Sequence, residues 1–552
     1  MGGAVGAVVV LLLGAPVLLG LVGVVLPAFG YLPALGGESL TLDPWRQLFA
    51  EPGLWTAALL GLSSGLLATL LSLCLVIALL AAGPLWLRRG LQALLAPLVA
   101  VPHIALAVGL TFLIMPSGWL VRFVSPWPSG WERPPDLAFP QDDLGLSLIL
   151  GLVAKETPFL LLMALAALPR LDEEWRLAMA RSLGYHPVTA WLKTVLPDLL
   201  RALRLPLAAV LSYGVANVEM AVILGPNTPP TLAILILDWF RDPDLAQRFL
   251  GSAAALLQLG IVLFALALTW GLALGLGRLA RRLAADGRRG QGRLLLPAGL
   301  WLALPPLLAL TLLALLVLFV WSFAARWRFP DLLPVWSLET WQRQGESVAL
   351  LTGQSLALAL CSTAIALLLA FALLESRRPA RQRAAEPWLL PVLALPLLVP
   401  QIAFLFGAAV AALQSGIAAP WFFVLWGHLL FVLPYVYLTL AGPHRGLDRR
   451  YHQQAISLGK GPWRVFFTVT LPLLRAPLLT AAAVGLAVSF ALYLPTVLLG
   501  GGRVVTLASE AVALSGGGDR RLLAVTALLQ ALVPLLAIAL AIRLGRKRRF
   551  LP

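Results

Sequence analysis

The sequence predicts an all-α polytopic membrane protein of about twelve transmembrane helices, arranged as two parallel six-helix repeats. Composition is the first observation: 60% of the 552 residues are hydrophobic and 12% are charged, with a mean hydropathy of +0.90. A soluble domain carries roughly 25% charged residues. The second is that apolar runs of about 20 residues, the length that crosses a bilayer, recur along the whole chain. A membrane β-barrel would instead alternate polar and apolar positions in strands of about ten residues. The third is an internal repeat. "SLGYHPVTAWLKTVLP" at 182–197 returns as "SLGKGPWRVFFTVTLP" at 457–472, an offset of 275 residues, half the chain. Leu224-Gly225 and Leu499-Gly500 keep the same offset, as do Thr231-Leu232 and Thr506-Leu507.

The first half reads as six spans, near 5–28, 54–82, 92–116, 144–169, 200–224 and 251–276. The opening apolar run lacks a basic start and is longer than a signal-peptide core, so it is expected to be retained as a span. The basic stretch "RLARRLAADGRRGQGR" follows as a linker, and six more spans lie near 294–323, 348–374, 387–414, 421–441, 474–499 and 521–542. An even count per half inserts both halves in the same direction, about a pseudo-two-fold axis along the membrane normal. Five segments result. Residues 1–53 hold the first helix and an outer loop, and 54–276 the first repeat; 277–293 are the linker. Residues 294–347 hold the seventh helix and its outer loop, and 348–552 the second repeat.

Charge placement sets the orientation. With these spans, 29 Lys/Arg and 8 Asp/Glu fall on one side, against 11 and 15 on the other. Excess Lys/Arg in short loops marks the cytoplasmic side, so both termini, the linker, "ESRRPARQRAAE" (375–386) and the tail "RKRRF" are expected there. The net charge of +16 is thereby accounted for by lipid, with no nucleic-acid partner.

Several chemistries are excluded. No phosphate-cradling G-x-x-x-x-G-K-[ST] loop occurs, so the chain is not itself an ATPase. HExxH, GxSxG and paired-cysteine metal patterns are likewise missing, and Cys74 and Cys361 are isolated within apolar spans. Ionisable groups inside spans are costly and generally face a bundle interior or a cavity. Lys155 and Glu156 in the fourth span, and Tyr213, Asn217 and Glu219 in the fifth, are therefore candidate pathway residues. Tyr213 and Asn217 are four apart, on one helix face. The position matching Glu219 in the second half is Leu494, with Ser489 and Tyr493 the nearby polar groups. Two readings stand: Lys155 pairs with Glu156 or Glu219 as a structural tie, or Glu219 faces the path and favours a cation, with Tyr213 or Tyr493 as an aromatic face. His103 and His428 read as packed helix-end histidines. The outer stretches "GPNTPPTLA" and "GGGRVVTLASEAVALSGGGDRR" read as turns or as a docking face.

The repeated segment lies between the fourth and fifth spans of each half, on the basic side. In each copy Gly184 or Gly459 breaks a polar helix, and Pro187 or Pro462 begins a short amphipathic one. Trp191 and Val195 share one face of it, as do Phe466 and Thr470 in the second copy. Both segments resemble the EAA loop of ABC importer permeases, E-A-A-x-x-x-G, nine residues, then I-x-L-P. The Gly-to-Pro separation of 13 is the same in both copies. The motif maps onto Ala180, Ser182, Gly184, Pro187, Trp191, Leu196 and Pro197, and onto Ala455, Ser457, Gly459, Pro462, Phe466, Leu471 and Pro472. The chain departs from it at the Glu position, here Ala178 and Gln453, and at the Ile position, here Thr194 and Val469.

From about 54 to 542 the chain is similar to fused double permeases of the thiamine, ferric-iron and putrescine branch of type I ABC importers. "VPHIALAVG", "KETPFLL", "ILGPNTPPTLA", "WGHLL" and "TLASEAVALSGGGDRRLLA" resemble most closely the Ynj-type fused permeases, associated with thiamine. The resemblance implies a type I importer permease in a bacterial inner membrane. It implies two copies of a cytoplasmic ABC ATPase seated on the two loops, a periplasmic solute-binding protein, and a small-molecule solute. ATP would be used by the partner subunit, with no cofactor bound by this chain. A twelve-span secondary transporter is the alternative, since such carriers are also built from parallel halves; it gives no reason for paired loops.

Overall fold

The computed structural model describes residues 2–285, 287, 289–290, 299–376 and 389–545. The tail "RKRRF", most of "ESRRPARQRAAE", the C-terminal part of the linker and the start of the seventh span lie outside the described residues. The described chain is helical apart from one short antiparallel pair, Ala324–Arg326 with Val335–Trp336, on the outer side of the seventh span. Among the described residues nine helices are long and apolar enough to cross a membrane, or eleven if each bent pair is one span.

Proline accounts for two of the breaks. The third span is two helices, Leu85–Ala100 and His103–Ile114, separated at Val101-Pro102. The ninth is Leu389–Leu398 and Ile402–Gln414, bent by 96° at Val399-Pro400. Proline has no amide hydrogen and disfavours helical backbone in the residue before it, so each Val-Pro stops its helix and strips carbonyls of their partners. The fifth span, expected as one helix over 200–224, is also divided. Arg204–Val215 is only 12 residues, and Ala221–Leu224 resumes after a gap. Its second-half counterpart breaks at the same place, Arg475–Ala491 then Leu494–Gly500. The sixth span runs past its expected end, from Gln247 to Ala285, so the first basic residues of the linker are helical. The outer stretches read as turns each contain a helix, Leu232–Arg241 and Leu507–Ser515, begun by the paired Thr231 and Thr506.

The halves exchange their first spans. Gly20 and Gly23 of the first helix lie directly on the backbone of Phe404 and Gly407 in the ninth span, where any Cβ would collide. The mirror contact sets Gly109 of the third span against the carbonyl of Ala314 in the seventh. Small residues permit such close crossings in a bilayer, where packing rather than water exclusion drives helix association. Phe240 and Phe406 add a ring stack across the halves, with centroids 3.9 Å apart and planes 4° from parallel. Gly407→Val is therefore expected to destabilise the bundle by about 1–3 kcal/mol. The check is the melting temperature in detergent against Gly260→Val, whose Cβ would meet open space.

Candidate functional site

Two groups of candidate residues converge, one inside the bundle and one on the basic face. Inside, the orphaned carbonyls of the Val-Pro breaks recruit polar side chains, because an unsatisfied backbone group is costly where water is absent. Lys155 Nζ donates to the carbonyl oxygens of Val99, at 2.7 Å, and of Val101. In the ninth span the carbonyl of Leu398 accepts from Ser212 Oγ at 2.6 Å. Lys155 is thus held by backbone; the expected tie to Glu156 or Glu219 does not form, because two carbonyls are nearer at hand.

The carboxylates meet His103 instead. Its Nε2 lies 3.6 Å from Glu156 Oε1 and its Nδ1 3.9 Å from Glu219 Oε2. Tyr213 packs its ring 4.6 Å from the imidazole and donates its hydroxyl to Glu219 Oε2 at 2.8 Å. The other Glu219 oxygen accepts from the backbone N–H of Tyr493 at 3.4 Å, across the two halves. The fifth-span break in one half therefore touches the break in the other through Glu219.

Asn217 and Ser489 hold other groups as well. Asn217 is not on the helix face of Tyr213, because the helix stops at Val215; its Oδ1 accepts from the N–H groups of Met220 and Ala221, starting the next helix. Ser489 bonds to His428 Nδ1 at 2.8 Å and to Ser362, away from the acids. His428 reaches Thr496 through its other nitrogen at 3.0 Å, spanning the eleventh-span break from within its own helix. It is packed as expected. His103, read as a packed helix-end histidine, does stand at the start of its helix, but it lies between the two carboxylates. Its signal was the pair V-P-H-I-A at 101–105 and V-P-Q-I-A at 399–403, which places a polar side chain at the first position after each break.

On the basic face, the repeated SLG is a helix-ending motif. Gly184 and Gly459 have φ of +82° and +76°, which L residues with a Cβ adopt only under strain. The N–H of Tyr185 bonds to Ala180 O at 3.1 Å, and that of Lys460 to Ala455 O at 3.1 Å. The Gly184 N–H reaches Arg181 O and the Gly459 N–H reaches Ile456 O. Both copies thus end in a Schellman-type cap, with Ala180 and Ala455 turned inward and buried. Pro187 and Pro462 then open the next helix. Ser182 and Ser457 are exposed at the two elbows, and the helices beginning at Leu196 and Leu471, each with proline second, lead into the fifth and eleventh spans.

Trp191 is 1% exposed and Val195 is buried, so their shared face points inward. Trp191 Nε1 donates to Glu173 Oε1 at 2.8 Å, and the same oxygen accepts from Arg88 at 3.1 Å. Arg176 bonds Thr194 O and Asp198 at 2.7 and 2.6 Å. In the second copy Phe466 packs edge-on against Phe371 and belongs to a π-helical turn, Phe466–Thr470. The faces left bare are Trp175, Met179 and Leu183 in the first copy, 64%, 48% and 59% exposed. In the second they are Leu458, Trp463 and Phe467, at 78%, 76% and 59%. The first set recurs every four residues, a single apolar stripe on a helix that also carries charge.

A helical bundle with a polar cluster buried where its two repeats meet, and no nucleotide loop of its own, is a permease in class. The chain is 35% identical over 511 residues to the inner membrane ABC transporter permease protein YnjC of Escherichia coli strain K12, covering 91% of this chain and 90% of that relative. It belongs to that family of ABC transporter permeases. No family model matches the chain.

Proposed function

We propose that this permease is the translocating subunit of an importer, driven by two copies of a cytoplasmic ABC ATPase that dock on the two elbows. The observation that carries the reading is the pair of Schellman elbows. Both sit at the same 275-residue offset, and both present large apolar side chains on the face with the positive charge. Exposed apolar stripes on short helices fit a partner's groove. A solute-binding protein delivers the solute to the opposite face, and both termini are cytoplasmic.

The solute is a small organic cation, thiamine being one. Glu156 and Glu219 bring two carboxylates to one place while Lys155 is engaged by backbone carbonyls. The two carboxylates outnumber the one ammonium near them, so the cluster favours a cation, with the ring of Tyr213 beside it. The same acid–histidine group favours a second reading, an ion-coupled secondary transporter, because such chains also relay protons. Uptake of labelled thiamine into proteoliposomes separates them. Import that requires the co-purified ATPase and ATP, and survives an uncoupler, supports the importer. Import without ATP that collapses with the ion gradient supports the carrier.

A further inference from the structure

The two elbows share a backbone but not their surroundings. Over Gly184 lies the side chain of Arg289 from the interhalf linker, close enough that a Cβ on Gly184 would touch it. The carbonyl of Arg289 accepts the N–H of His186 at 3.1 Å, and Gly290 sits directly on Thr189. Among the described residues, nothing lies within 4 Å of a Cβ built on Gly459. Arg289 and Gly290 of the linker thus rest on the first loop, although the linker's composition reads as a plain tether. It leaves Trp175, Met179 and Leu183 bare, so it braces the elbow without covering the stripe.

The remaining contacts reinforce the difference. Glu173 ties the first coupling helix to Arg88 at the start of the third span, and that helix is regular over Pro187–Thr194. The second copy has only a four-residue helix, Pro462–Val465, before its π-helical turn.

Resting on the coupling-loop reading, we infer that the two ATPase sockets are unequal. The first is set in advance by the chain's own linker, and the second takes its final shape only when the ATPase binds. A surface fixed beforehand loses less conformational freedom on association, so the first socket binds the ATPase more tightly. The partner sees one composite face, elbow plus linker, and one bare aromatic face, Leu458–Trp463–Phe467.

The linker supplies a matched pair of variants. Gly290 and Gly287 both have left-handed φ, +68° and +66°, but a Cβ on Gly290 collides with Thr189 whereas one on Gly287 meets open space. Hydrogen exchange on the purified full chain should show the His186 amide protected in wild type and Gly287→Val, and exposed in Gly290→Val. Equal exchange in all three, or loss in Gly287→Val as well, overturns the brace. The second arm places a photo-crosslinking amino acid at Leu183 or at Leu458, exposed positions at matching places in the two loops. Capture of the ATPase, identified by its phosphate-binding loop, should be about three- to tenfold greater at 183 at limiting ATPase, and equal at the two sites in Gly290→Val. Equal capture in wild type, or more at 458, removes the inequality and leaves docking intact. No capture at either position removes the coupling-loop reading itself.

Discussion

Glu219→Gln is expected to lower uptake of a cationic solute at least about a hundredfold while leaving the quantity of bound ATPase unchanged. Glutamine can turn its one carbonyl oxygen to the Tyr493 N–H and donate from its NH2 to the Tyr213 hydroxyl oxygen, so the contact between the halves survives. What it removes is one of two negative charges. A unit charge about 4 Å from another contributes roughly 4 kcal/mol at an effective dielectric near 20, and each 1.4 kcal/mol is about tenfold in affinity. About three-quarters of that interaction, roughly 3 kcal/mol, already gives the predicted change. Initial rates in proteoliposomes, with ATPase content quantified on the same sample, are the measurement. A drop of less than threefold would take Glu219 off the path and leave it as a structural acceptor between the halves. Glu156→Gln should behave similarly, because His103 joins the two carboxylates.

The large divisions of the fold were legible because each has a cause that sequence displays. Apolar runs show spans, and a glycine that must adopt positive φ shows the elbows twice at one offset. What escaped were features decided by one or two backbone groups. The fifth span reads as continuous because residues 216–220, "ANVEM", still average as part of an apolar stretch, while the helix ends at Val215. The amphipathic reading put Trp191 and Val195 on one face, as they are, without saying where that face points. An indole whose N–H can reach Glu173 is more stable buried than bare, and spacing alone does not say which face meets the bundle. Lys155 and His103 exchanged roles for a related reason. The Val-Pro break creates carbonyl acceptors that no side-chain inventory records, and the ammonium takes them. The histidine is then left to the acids. The linker's contact with the first elbow has no periodic signature.

The second large effect concerns the elbows. Gly184→Arg with Gly459→Arg forces two side chains into left-handed backbone, at roughly 1–2 kcal/mol each. It also aims long cations across the surfaces where Leu183 and Leu458 stand bare. At Gly184 the new side chain collides with Arg289 as well. Both elbows are exposed and lie outside the bundle, so the spans and the Glu219 cluster should persist, visible as an unchanged elution profile in detergent. Recovery of the ATPase with the chain should fall at least about tenfold, whereas either substitution alone should leave the opposite socket occupied. Ala178→Glu and Gln453→Glu restore the motif's acid and give a separate handle on how the unusual loops are read by their partner.

The most direct measurement is therefore co-purification of the ATPase with the wild-type chain and with the Gly184→Arg/Gly459→Arg double variant, after mild crosslinking. The account predicts two ATPase copies per wild-type chain and almost none on the double variant. A wild-type chain that carries no ATPase, or a double variant that carries as much as the wild type, would contradict it and favour an ion-driven carrier.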